Sequence, residues 1–197
     1  TFYSHKHNLT RCAYLDQPLD FLQFVFRHRL CPNRLPEFIN SILIKNAAAY
    51  RVVDGRTITL IASEAECNTL QRAFANLSKT EFNGARAHLE KAAEHLTIQK
   101  FADSIRESIN AVESVARTLE PSGKLSSALA KLECSSNVHP CLKRGFNAIY
   151  DYTSDEKGLR HPLLDGTEAK VDETDAIFMI GACAAFVSYM IQKSRAV

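Results

Sequence analysis

Glycine and proline are scarce in this 197-residue chain, 7 and 6 respectively, which argues against a loop-rich architecture. Charge of one sign is also lacking. Lys and Arg number 24 against 22 Asp and Glu, a formal charge of +2, so the chain is no polycationic coat for nucleic acid. The apolar share of 46% and charged share of 23% are those of an ordinary globular domain, which excludes a disordered tail or a collagen-like repeat. No Walker-type loop, GxGxxG, HExxH or GxSxG occurs, so neither a phosphate cradle nor a zincin or hydrolase elbow is announced. No secretory signal pattern is visible at the start, and Thr1 is not methionine, as in a processed or trimmed part of a longer chain.

Long hydrophobic runs are short of membrane length. The longest, Ala176 to Ile191, is 16 residues with Gly181 and Ser188 inside it, and a buried helix is expected there rather than a span, with no membrane partner. The six cysteines (Cys12, Cys31, Cys67, Cys134, Cys141 and Cys183) show no CxxC spacing. In a chain long enough to bury a core they read as reduced thiols of a cytoplasmic protein. Cys134, His139 and Cys141 fall within eight residues, but this spacing fits no common zinc pattern and needs a distant fourth ligand. Neither a metal nor a cofactor is expected.

What is present is helical period. Residues 1–17 lack periodicity and are expected to be irregular. A short helix is expected from Pro18 to Leu30, with the stripe Phe21, Phe24 and Phe26 in the core. Leu35, Phe38, Ile39, Ile42 and Leu43 mark the apolar face of a second. Asp54-Gly55 between β-branched runs predicts a two-residue type I′ hairpin. Ser63 with Glu66 three residues on predicts a capping box for a helix to about Phe74. From Glu81 onward everything reads as helix. Ala85, Leu89, Ala92, Ala93 and Leu96 share one face, and Ile105, Ile109, Val112 and Ala116 share another, flanked by the polar arc Arg106, Asn110, Glu113 and Arg117. Pro121-Ser-Gly breaks the chain, Leu125, Leu129 and Leu132 mark a short helix, and Pro140 starts the next. A loop is expected from Asp151 to about Val171, followed by a long apolar helix from Asp172 to Lys193.

Three stretches carry a family resemblance: Ser104-Ile-Arg-Glu-Ser-Ile-Asn-Ala-Val-Glu-Ser114, Val138-His-Pro-Cys-Leu-Lys143, and Tyr152-Thr-Ser-Asp-Glu-Lys-Gly-Leu-Arg-His161. With the last apolar helix, they make the segment from about Leu89 to Lys193 resemble a HEPN domain (higher eukaryotes and prokaryotes nucleotide-binding). Upstream, the helix and the Ala49-Tyr-Arg-Val-Val-Asp-Gly55 hairpin are similar to the AbiJ-type N-terminal module that precedes HEPN domains of the abortive-infection kind. The resemblance implies an up-and-down helical bundle that pairs into a homodimer, and a role in bacterial antiphage or toxin systems. In many members that role is metal-independent RNA cleavage by an Arg and a nearby His aimed into the dimer cleft. There the Arg would hold the scissile phosphate and the His would move the 2′-hydroxyl proton.

The candidate catalytic residues on this reading are Arg160 and His161, with Glu113 and Glu107 orienting Arg160 and Tyr152 offering a hydroxyl. The chain departs from the family pattern. None of its seven histidines has an Arg five to seven positions before it, and Arg160 and His161 are adjacent. Adjacent side chains diverge by about 100° on a helix, and Pro162 biases His161 toward extended backbone. Residues 151–175 hold eight acids and three bases, a net of −5 that repels a polyanion. The other reading keeps Arg160 locked to carboxylates such as Glu107 or Glu113, His161 hydrogen-bonded in a structural role, Tyr152 at a core edge, and Asp155 and Glu156 as a turn pair.

The expected architecture is therefore mainly α, a HEPN-like helical bundle at 80–197 after a small α+β module at 1–79 with one β-hairpin. The first part has ten bases and six acids, +4, and the second 14 bases and 16 acids, −2. Two functions are expected. One is a non-catalytic module for dimerisation and for binding nucleic acid, a nucleotide or a partner protein of a defence system. The alternative is a metal-independent RNase effector using Arg160 and His161.

Overall fold

The strongest helical period in the sequence builds the element around which the rest packs. Phe101–Leu119 forms helix α5, whose Ile105, Ile109, Val112 and Ala116 are buried as expected. The computed structural model describes residues 18–120, 124–136, 138–155 and 170–195. In chain order these form α1 (18–27), α2 (Leu35–Lys45), β1 (Tyr50–Val52), β2 (Ile58–Leu60), α3 (Glu64–Asn76), a 3-10 turn (Thr80–Phe82), α4 (Asn83–Thr97), α5, α6 (Leu125–Ser136), α7 (Pro140–Asp155) and α8 (Glu173–Arg195). The fold is mainly α with one antiparallel hairpin, as the sequence predicts. The irregular segment expected for 1–17, the break at 121–123 and the loop beyond residue 155 lie outside the described residues.

Helices α4 and α8 pack against α5. The α4–α5 seam is closed by small and polar groups as well as by Leu89, Ala92, Ala93 and Leu96. Ser104 Oγ donates to Ala92 O at 2.8 Å, satisfying a hydroxyl that is fully buried. Near the other end of α4 the helices approach so closely that a Cβ on Gly84 would lie 2.9 Å from Ser114 Oγ. Helix α8 is capped reciprocally. Asp172 Oδ1 accepts from Asp175 N at 3.1 Å and Asp175 Oδ2 from Asp172 N at 3.0 Å. By length and composition α8 could cross a membrane, but 56% of its most apolar stretch is buried against the other helices.

The helix α3 begins as expected: Ser63 Oγ accepts from Glu66 N, while Glu66 Oε2 accepts from Ala62 N. Its Cys67, Leu70, Ala73 and Phe74 join the same apolar cluster as α4, α5 and α8, so this helix, N-terminal to residue 79, shares the bundle core. A second, smaller cluster joins Leu19 and Phe26 of α1 to Val52 and Ile58 of the hairpin, with Leu35 and Ile39 of α2 against it.

Three expectations are corrected. The Asp54-Gly55 turn is not a two-residue type I′ turn. Val53 N donates to Thr57 O, so three residues close the loop, and Gly55 supplies its positive φ, 77°. Asp54 stays at negative φ because its carboxylate is committed. Oδ1 accepts from Arg56 N and Thr57 N, and Oδ2 pairs with Arg86 of α4 at 2.7 Å. Helix α7 continues through Asp155 instead of ending before Asp151. Thr153 is buried, its hydroxyl satisfied by donating to Tyr150 O, so this polar sequence packs against the protein as a further helical turn. Finally, of the stripe Phe21, Phe24 and Phe26, Phe26 alone is core. Helix α1 buries the face carrying Leu19 and Phe26 and leaves Phe21 and Phe24 at 65% and 66% exposure.

Candidate functional site

The polar arc of α5 meets the polar side of α7 in a cleft of about 530 Å³. Glu113 and Arg117 of α5, Lys124 and Ser126 at the start of α6, and Asn147, Tyr150 and Asp151 of α7 line it. Glu113 is a mostly buried member of this lining, its side chain 15% exposed. Tyr150 Oη donates to Glu113 Oε1 at 2.7 Å, and Arg117 Nη2 reaches Oε2 at 3.4 Å, one helical turn along. The spacing of Glu113 and Arg117 is the favoured i, i+4 acid-before-base order. The ring of Tyr150, on α7, packs on the core while its hydroxyl reaches the acid. With two acids and two bases, the lining is balanced in charge. A balanced cleft holds a polar or zwitterionic group better than a polyanion.

Among the described residues proposed from sequence, Glu113 alone lines this cleft. Glu107 lies two turns earlier on α5 and points to α4, where its Oε2 is 2.6 Å from His88 Nδ1. Tyr152 faces the other side of α7. It walls an apolar pocket of about 380 Å³ with Ile149 of α7 and Asp175, Phe178 and Met179 of α8. Arg160 and His161 lie outside the described residues, as does Glu156.

His88 was not singled out from sequence. It and Glu107 are 19 residues apart with no motif between them. The signal lies in the tight α4–α5 connection: once that turn is placed, Ser104 falls opposite Ala92 and Glu107 opposite His88 as the helices run back from it. The half-buried imidazole beside a carboxylate is an acid–base pair in form, held by packing between two helices.

The thiols divide by burial. Burial pushes Cys183 up to about 12 from the ordinary thiol value of 9.0. Burial, reinforced by Glu64 and opposed by Arg51, raises Cys67 as well. Neither is a thiolate nucleophile near neutrality. Cys134 and Cys141 are exposed, and Cys141 Sγ accepts from Arg144 Nη2 at 3.0 Å. Near them, His139 Nδ1 accepts from Cys141 N. Among the described residues no three His, Cys, Asp or Glu side chains gather as a metal site would require.

Comparison with family models, with curated proteins and with solved structures finds no match to this chain.

Proposed function

We propose that the chain is a non-catalytic self-association and binding module of the bacterial defence kind that its HEPN resemblance implies. What carries the reading is apolar surface in solvent. Phe21, Phe24, Leu30, Phe38, Ile42 and Ile44 are all more than 40% exposed on or beside α1 and α2, and Phe178 is 62% exposed on α8. Scattered apolar side chains are ordinary on a protein surface, but a run of them on two successive short helices marks an interaction surface. The mainly helical bundle and the charge-balanced cleft agree with binding rather than with gripping a scissile phosphate. A molar-mass measurement by light scattering across a concentration series tests the reading. A dimer or larger assembly is expected, and a monomer at every concentration that also retains no nucleic acid or nucleotide overturns it.

The second reading, RNA cleavage by Arg160 and His161, has one observation in its favour. Glu113 presents a carboxylate to a cleft of about 530 Å³, large enough for a nucleotide-sized group. Incubation with total RNA in EDTA, beside Arg160→Ala and His161→Ala, decides between the two. Cleavage lost in both variants favours the nuclease, and intact RNA at high protein concentration removes it.

A further inference from the structure

Helix α2 is apolar on the side that faces solvent as well as on the side that faces the protein. Its inner side is accounted for: Leu35 and Ile39 pack on the smaller apolar cluster, and Asn40 holds Val52 of β1. Yet none of its 11 residues is fully buried, and Phe38 and Ile44 are more than half exposed. The outer side is centred on Ser41. Glu37 and Phe38 lie four and three residues before it, and Ile44 and Lys45 three and four after it, the spacings that set side chains on one helical face. All five are exposed. Among the described residues neither Glu37 nor Lys45 has an ion-pair partner. Ser41 Oγ donates to Phe38 O at 2.6 Å, so its hydroxyl is satisfied within the helix and asks nothing of a neighbour.

We infer that α2 is a self-docking surface, two copies of the chain pairing α2 against α2 antiparallel about a two-fold axis at Ser41. The inference rests on the self-association reading above and names its surface and symmetry, outside the bundle of α4, α5 and α8. With the axis at Ser41, each position before it faces the position equally far after it on the second copy. Glu37 then meets Lys45 of the second copy, Phe38 meets its Ile44, and each contact occurs twice. Acid meets base and apolar meets apolar, whereas a parallel pairing sets Glu37 on Glu37 and Lys45 on Lys45. The antiparallel arrangement also places the positive N-terminal end of each helix beside the negative C-terminal end of the other. Ser41 is small, so the helices can approach closely at the axis, and its internally bonded hydroxyl leaves no unpaired donor in the seam. A contact between identical patches is isologous and closes at two copies. A helix of this length spans about 16 Å, so the seam is short and the dimer reversible.

Charge reversal at the two ends of the seam tests the register as well as the surface. Light scattering of the full chain across a concentration series is expected to approach twice the 22.0 kDa chain mass and go no further. Glu37→Lys alone and Lys45→Glu alone each set like charges together at both ends of the seam. Each is expected to raise the dissociation constant about tenfold or more. Carrying both substitutions in one chain restores attraction at both ends, and the dimer is expected to return. An equimolar mixture of the two single variants is expected to do the same, because one then presents bases and the other acids at both ends of α2. Both side chains are exposed, and circular dichroism checks that every variant keeps its helix content. Recovery in either the double variant or the mixture establishes the register. Loss in the single variants with recovery in neither overturns the inference, since the two charges then do not face one another. A wild-type dimer indifferent to both reversals pairs through another surface or in another register, which leaves self-association standing and this inference wrong. A wild-type monomer at every concentration also removes it, and the binding reading falls too unless the chain retains nucleic acid or a nucleotide.

Discussion

Asn40 holds both backbone groups of Val52. Its Oδ1 accepts from Val52 N and its Nδ2 donates to Val52 O, each at 2.8 Å. Val52 pairs with Ile58 across the hairpin, and Ile58 is treated likewise on the opposite edge. Its N–H donates to Gln23 Oε1 of α1 at 2.8 Å, and its carbonyl accepts from Thr97 Oγ1 of α4 at 3.2 Å. A two-stranded sheet has two open edges and is marginal by itself. Here side-chain amides from α1 and α2 and a hydroxyl from α4 close both edges at the same cross-strand pair.

Asn40→Leu is expected to lower stability by about 1–3 kcal/mol, the cost of leaving the buried N–H and carbonyl of Val52 unpaired. Chemical denaturation of the full chain measures it. A loss within error of zero would mean that water replaces the amide at both groups.

Gly55→Val is expected to cost about 1–2 kcal/mol, because β-branched residues resist a positive φ. Nothing lies within 4 Å of where a Cβ would stand, so the cost is backbone strain alone. Gly55→Asn, which tolerates that region, should therefore recover most of it in the same denaturation assay. Equal losses in the two variants would point to a clash instead.

Stability is expected to fall between pH 9 and about 12 through Cys183. Its folded value stands above its unfolded value of 9.0, so the contribution is complete below that value and is lost as pH climbs through the folded one. Cys67, raised in the same sense, adds to the loss. Melting temperature against pH should decline less steeply over this window in Cys183→Ala than in the wild type. Parallel curves would show that other groups govern the alkaline limb.

Tyr150→Phe removes the hydroxyl that donates to Glu113 and keeps the ring that packs on the core. The expected loss is about 1–2 kcal/mol, toward the low side for a hydrogen bond to a charged acceptor because Arg117 still faces the carboxylate. Glu113→Gln should lose less, since an amide can still accept from Tyr150. If both variants were neutral in thermal melts, the cleft would contribute nothing to docking α7 on α5.

The sequence by itself determined the elements whose cause is local. The apolar period of α4 and α5, the Ser63 cap with Glu66, the Pro140 start of α7 and the existence of a hairpin around Gly55 each follow from spacing within a few residues. Where the outcome depended on a partner far along the chain, only the tertiary structure decided it. Asp54 turns the loop into a three-residue one because Arg86, 32 residues on, shares its carboxylate. Phe21 and Phe24 carry the same apolar chemistry as Phe26, yet which face of α1 is buried was set by Gln23 reaching the edge of β2. Glu107 meets His88, and Glu113 meets Tyr150, because helices pair side chains across a seam whose register no single helix encodes. Composition is summed over a chain and period is read along it, whereas a site is built across it.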